Sequence, residues 1–248
     1  MIAEGAGPLV VLLPSRGRDS EDYDEVAAGI VKAGYRVLRP QPRGTGASTG
    51  PMKGLTLHDF ARDVAAVIAH AGGGSAVVAG HAFGNWVARM TAADHPRLVR
   101  GVAILAAAAK SYPGFAGAKR LVEAVKKAGD PALPDAERLA HLRAAFFASG
   151  HDASVWLKGW YPEVNASQFA AGRATRQEEW WGAGRAPLLD LQAALDPFKP
   201  RETTNELREE FGERVTIAVI PDASHALIPE QPAAVVEAIV GWMRKIPR

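Results

Sequence analysis

VVAGHAFGNWVARM, residues 77–90, decides how this chain folds. It opens on β-branched and small apolar residues, the composition of a covered strand. It closes on a run with helical spacing. Between the two, Gly80 and Gly84 flank His81, Ala82 and Phe83. Glycines placed this way let the backbone bend sharply and let a helix approach a strand with no Cβ between them. The apex of the turn is Ala82, which carries no oxygen, no labile proton and no lone pair.

Outward from this turn the chain alternates. On the N-terminal side lie PLVVLLP (8–14), a short apolar run bounded by prolines, then SEDYDEVAAGIVKAGY (20–35) at helical spacing, with Ser20 as N-cap and Gly34 as stop. RVLRP (36–40) is the next strand and PRGTGASTGP (42–51) a glycine-rich loop. TLHDFARDVAAVIAHAG (56–72) is a helix capped by Thr56, with Phe60, Val64 and Ile68 on one face. SAVVAG (75–80), GNWVARMTAADHP (84–96) and VRGVAILAAAA (99–109) continue as strand, helix and strand. After a gap the alternation resumes with a strand in PLLDLQAALDP (187–197), a helix over 201–211, the strand RVTIAVIPD (214–222) and the helix QPAAVVEAIVGWMRKI (231–246). Strand–helix alternation with short connections predicts a parallel sheet covered on both faces.

From 110 to 186 no strand pattern appears. FAGAKRLVEAVKKAG, PDAERLAHLRAAFFASG, SVWLKGWYPEV and SQFAAGRATRQEEWWGAG read as helical pieces, and four of the six tryptophans fall there. The expected architecture is a doubly wound α/β core of about six mostly parallel strands, built from 1–109 and 187–248. A helical insertion, 110–186, follows the fourth strand.

Composition narrows the function. A net charge of +2 gives no electrostatic case for nucleic acid or an anionic membrane as partner. The absence of cysteine excludes disulfides and thiolate catalysis and fits the cytoplasm. The N-terminal MIAEGAGPLVVLLPSRG has no basic leader, and no apolar run reaches membrane-spanning length. The histidines other than His81 and His225 have no i, i+4 partner, so neither a metal site nor a cofactor is expected. The expected partner is a small-molecule substrate.

Three motifs stand in order: G-H-A-F-G (80–84), A-L-D-P-F (194–198) and D-A-S-H-A-L (222–227). In this order they resemble the landmarks of the α/β-hydrolase fold family: a turn of form G-x-S-x-G, an acid after a later strand and a histidine after the last. The resemblance covers nearly the whole chain. It implies that position 82 is the nucleophile site, that Asp196 orients an imidazole, and that His225 is the general base. Asp190, inside the same strand as the acid, competes for that role but should be buried mid-sheet. The N–H of Phe83, at a helix N-terminus, is placed to hold an oxyanion.

The chain departs from the family after the first strand, where Pro14-Ser15-Arg16-Gly17 stands in place of His-Gly. Main-chain N–H groups of Ser15 or Arg16 can still complete an oxyanion hole, because the hole needs backbone donors. The Arg16 side chain has two readings, neutralising a substrate carboxylate or pointing to solvent. His81, Trp156 and Trp160 are candidate substrate contacts. The insertion reads as a lid, whose aromatics either roof the crevice or only bind the lid helices to the core. The loop R-G-T-G-A-S (43–48) lacks the G-K-[ST] ending of a phosphate-binding loop.

Ala82 divides the functional reading. Losing a triad serine costs on the order of a millionfold in kcat, about 8 kcal/mol of barrier. The first reading is a carboxylic ester or lactone hydrolase whose serine has been replaced. The second is a serine-independent enzyme in which His225 activates water or shuttles a proton. The third is a ligand-binding protein on a hydrolase scaffold. Asp196 and His225 have no purpose in a pure binder.

Overall fold

The computed structural model describes residues 1–72, 74–111 and 118–247. Its centre is a seven-stranded sheet: β1 (Ile2–Glu4), β2 (Leu9–Leu13), β3 (Arg36–Arg39), β4 (Ala76–His81), β5 (Val99–Leu105), β6 (Leu188–Ala193) and β7 (Val215–Ile220). The spatial order is β1-β3-β2-β4-β5-β6-β7, and every pairing is parallel except β1 with β3. The sheet therefore has one strand more than the six expected. The extra strand, β1, is three residues long and only half covered, too short to leave an alternation pattern. It is held by Arg39, a 4% exposed side chain of β3 that donates to Glu4 at 2.8 Å and also pairs with Asp24.

The two faces follow from side-chain alternation. In β2, Leu9, Val11 and Leu13 face one apolar cluster, while Val10 and Leu12 face the other. On the first face pack α2 (Leu57–Ala71) and α3 (Phe83–Asp94), through Phe60, Val64, Ile68 and Val87. On the second pack α1 (Asp24–Lys32) and α10 (Pro232–Met243), through Val26, Ile30, Val235 and Ile239. Burying each such side chain contributes about 1.5–3 kcal/mol.

Between β5 and β6 run α4 (Ala118–Ala128), α5 (Asp135–Ala145), α6 (Pro162–Ala174) and α7 (Gln177–Trp180). The start of the piece expected at 115–129 lies outside the described residues. The helix expected over 154–164 does not form: a single 3-10 turn spans Ala153–Trp156, Gly159 takes φ +76° and Pro162 opens α6. The piece expected at 167–184 is broken at Thr175, whose backbone is extended. A 3-10 turn, Ser20–Tyr23, leads into α1 and is capped by Asp19, which accepts from the Glu21 N–H at 2.9 Å; Ser20 caps nothing, and its buried hydroxyl has no partner among the described residues. Thr56 caps α2 in a closed capping box with Asp59. After β6 come α8 (Glu206–Phe211) and, following β7, α9 (Leu227–Glu230). Among the described residues no helix is long and apolar enough to cross a membrane.

Candidate active site

The turn between β4 and α3 is sharp and strained. Ala82 sits at φ +46°, ψ −111°, a region that side chains other than glycine avoid. Its N–H donates to Leu105 at 3.0 Å, so neighbouring β5 holds the apex in place. Asn85, fully buried in the first turn of α3, returns to the Ala82 carbonyl with both its backbone N–H, at 3.1 Å, and its side-chain amide. The flanking glycines are required by contact. A Cβ on Gly80 would lie 2.2 Å from the backbone of Gly84, and one on Gly84 would lie 2.4 Å from the Leu13 carbonyl oxygen. Because α3 starts at Phe83, the Phe83 N–H has no acceptor inside the helix.

The loops after β6 and β7 bring Asp196 to His225. Nδ1 of His225 lies 3.0 Å from Oδ2 of Asp196, and the other carboxylate oxygen accepts from the Phe198 N–H at 2.8 Å. With Nδ1–H donating to the carboxylate, Nε2 keeps its lone pair and can accept a proton. The histidine loop is clamped from several sides. Ala226 N–H donates to Phe146 at 2.8 Å, and Nε2–H of His81 donates to the His225 carbonyl at 2.7 Å. Glu230, a residue the motifs did not single out, accepts from the N–H groups of Ser224 (2.7 Å) and Ala148 (2.6 Å). Burial raises its pKa.

His81 is closed to solvent, and its Nδ1 has no partner among the described residues. Burial, reinforced by His225, lowers its pKa to about 3, so it is a neutral donor under His225. Asp190 is fully buried in β6, its carboxylate accepting from Gln192 at 2.8 Å, and burial raises its pKa.

A cavity of about 470 Å³ gathers Ala82, Phe83, His225, Ser15, Arg16 and Trp160. Phe146, Trp86, Phe169 and Phe198 supply apolar wall. Trp156 lies outside this lining. It is 2% exposed and packs against His81, Phe146, Phe147 and Trp160 at ring distances of 5.3–6.2 Å. His81 likewise lies beneath the cavity rather than on its wall. Trp180 and Trp181 are buried in the cluster against α3, with Trp180 stacked on Trp86 at 5.1 Å. A second cavity, about 460 Å³, lies across Phe83 and Gly84, between the 40–51 loop and α2, and contains none of Ala82, Asp196 or His225.

Besides Glu230, two supports lie outside the motif reading, Arg18 and Asn85. Arg18, 2% exposed, is paired with Asp22 and lies 4.7 and 4.8 Å from the Trp156 and Trp160 rings. Asn85 could have been found from its place in the first turn after the apex; Arg18 left no local signal. Among the described residues no cluster of histidines and carboxylates is arranged to hold a metal ion.

Comparison with known proteins agrees with this geometry. The family model described as alpha/beta hydrolase fold matches residues 8–232. A protein of Variovorax paradoxus (strain S110) named "Putative carbamate hydrolase RutD" is 24% identical over 251 residues, spanning 97% of this chain and 93% of that one. Among solved structures, "Putative non-heme bromoperoxidase BpoC" from Mycobacterium tuberculosis H37Rv superposes with a TM-score of 0.80 at 23% identity, covering 100% of this chain and 96% of that one. A malate-bound thermophilic esterase from Thermogutta terrifontis superposes at 0.76 with 24% identity, covering 98% and 92%.

Proposed function

The chain belongs to the alpha/beta-hydrolase fold family, and on that premise we propose that it hydrolyses small, largely apolar carboxylic esters or lactones without a serine nucleophile. His225, oriented by Asp196, takes a proton from a water in the space that the Ala82 methyl leaves open. The resulting hydroxide attacks the substrate carbonyl. The developing oxyanion accepts from the N–H of Phe83 and from Ser15 or Arg16. The imidazolium then returns its proton to the departing alkoxide, and the ester C–O bond breaks. Residues 110–186 act as the lid over a core of 1–109 and 187–248.

The observation that carries this reading is the backbone of Ala82. Ala106, Ala183 and Asp222 share the positive φ, but Ala82 combines φ +46° with ψ −111°, where a plain turn would take glycine and holding alanine costs about 1–3 kcal/mol. Phe83, the residue after the strained apex, lines the same cavity as His225, which supports an oxyanion role for its free N–H whether or not the apex has an oxygen. The named hydrolase relatives support the reaction class. Without an acyl-enzyme route, turnover rests on the base and the oxyanion hole, so rates are modest.

The test is steady-state hydrolysis of 4-nitrophenyl acetate, 4-nitrophenyl butyrate, γ- and δ-lactones and monomethyl and dimethyl glutarate by the chain with Ala82 in place. Saturable turnover above buffer is the expected result. Buffer-level rates across the whole panel contradict the proposal.

A further inference from the structure

The segment after β2 is fixed from both sides. The Gly17 N–H donates to Gln168 Oε1 at 2.8 Å, and the Gly17 carbonyl accepts from the Tyr161 N–H at 2.9 Å. Gly17 takes φ +69°, and a Cβ there would meet Asn165 Cβ at 2.7 Å. Arg18, next along, donates Nη1 to the Lys158 carbonyl at 2.6 Å and pairs with Asp22. Arg16 precedes these two anchored residues, so the loop sets where its side chain goes. It goes into the active-site cavity, with the guanidinium 5.1 Å from the centre of the Phe169 ring.

Arg16 differs from Arg18, Arg39 and Arg43, which all hold carboxylates. Among the described residues its side chain has no hydrogen-bond or ion-pair partner, only the Phe169 ring. Burial lowers its pKa, and no nearby carboxylate offsets that effect. Lys126 of α4 is the second cation in the lining, and none of the described lining residues is acidic. Residues 112–117, YPGFAG, contain no acid either. The cavity is thus apolar with two cations. A half-buried guanidinium without a counter-ion is unfavourable until an anion arrives. Its planar fork matches a carboxylate with two parallel hydrogen bonds.

We propose that the cavity is built for substrates that carry a carboxylate in addition to the scissile carbonyl, and that the Arg16 side chain is the anchor that selects them. The anion site stands on its own geometry; only its use in turnover rests on the hydrolase reading above. Lys126 draws the anion in at longer range, an attraction that salt screens.

Two readouts on the full chain separate this proposal from that reading. The first is equilibrium binding, followed by tryptophan fluorescence because Trp86 and Trp160 line the cavity. The probes are butyrate, hexanoate, benzoate and phenylacetate, each against its primary amide at low ionic strength. At least one acid is expected to bind about tenfold or more tighter than its amide. Arg16→Gln is expected to erase that preference while changing amide affinity less than about twofold; Arg16→Lys retains part of it. Arg16→Met, which keeps the apolar stem on Phe169, replaces Arg16→Gln if the latter does not fold. The second readout is the kcat/KM ratio for monomethyl over dimethyl glutarate, expected to exceed one and to fall toward one in Arg16→Gln, chiefly through KM. Equal or weaker binding of every acid, no acid binding at all, or a preference that survives Arg16→Gln overturns the proposal. Absence of turnover alongside Arg16-dependent acid binding overturns the hydrolase reading alone.

Discussion

Nδ1 of His225 lies 3.0 Å from Oδ2 of Asp196, and the two side chains are only 8% and 1% exposed. The carboxylate therefore fixes which imidazole nitrogen carries the proton. In Asp196→Asn the remaining carbonyl oxygen can still accept from the Phe198 N–H, but the amide then turns its N–H₂ toward His225 and favours the wrong tautomer. We expect kcat to fall about 10²-fold or more, by no more than removal of His225 itself, with the fold intact. Steady-state kinetics beside far-UV circular dichroism checks this.

The strain at Ala82 has a thermodynamic signature. Ala82→Gly relieves the φ +46° penalty and gives back part of the gain as unfolded-state entropy. The net expectation is about 1 kcal/mol of added stability, read as a higher urea midpoint. Ala79→Gly, at a fully buried position in β4 with no such strain, should lower it. Matching losses in both variants would show that no strain is stored at the apex.

Gly84→Ala places a methyl 2.4 Å from the Leu13 oxygen and 2.6 Å from the Pro14 oxygen. Backbone atoms cannot rotate away as a side chain does, so α3 or the 14–17 loop must move. The expected cost is about 3 kcal/mol or more. Activity should fall further than stability predicts, because that loop carries Ser15 and Arg16. Urea unfolding and kcat/KM on the same preparation separate the two effects.

His81 makes stability depend on acid. Its pKa is about 3 in the folded protein and near 6.5 when unfolded. Below pH 6.5 the unfolded chain binds the proton first, so the stability present above that pH is lost progressively down to about pH 3. The slope is about 1.4 kcal/mol per pH unit. His81→Gln keeps an N–H donor for the His225 carbonyl and removes the titration. Between pH 6 and pH 4 the parent should lose about 2–3 kcal/mol more than this variant in chemical denaturation. Parallel profiles would mean that His81 is not buried as a neutral group.

The sequence revealed the sheet and the order of its parts because strands β2 to β7 each leave a local pattern. β2 is a continuous apolar run and β4, β5 and β7 are nearly so, β3 and β6 carry Arg36, Arg39, Asp190 and Gln192 among apolar residues in their place in the alternation, and glycines mark the turn at 80–84. Asp196 and His225 were legible for the same reason, standing in short loops at strand ends. What escaped notice depends on partners distant in the chain. β1 is three residues held by Arg39. Glu230 acts through the backbone of Ser224 and of Ala148, 82 residues away. Arg18 fixes Trp160 by reaching 140 residues along the chain to Lys158. Trp156 shows the converse: an aromatic in the inserted segment looks like a substrate contact, but packing places it behind the wall.

In the proposed reaction His225 is the catalytic base in a chain whose apex residue is alanine. The most direct test of that role is the pH–rate profile of the unaltered chain and of His225→Ala on the best ester or lactone found. The expected result is turnover by the unaltered chain that requires a neutral imidazole, and a loss of about 10²–10⁴-fold in His225→Ala. Turnover that His225→Ala leaves unchanged, or that appears only in Ala82→Ser, would contradict it.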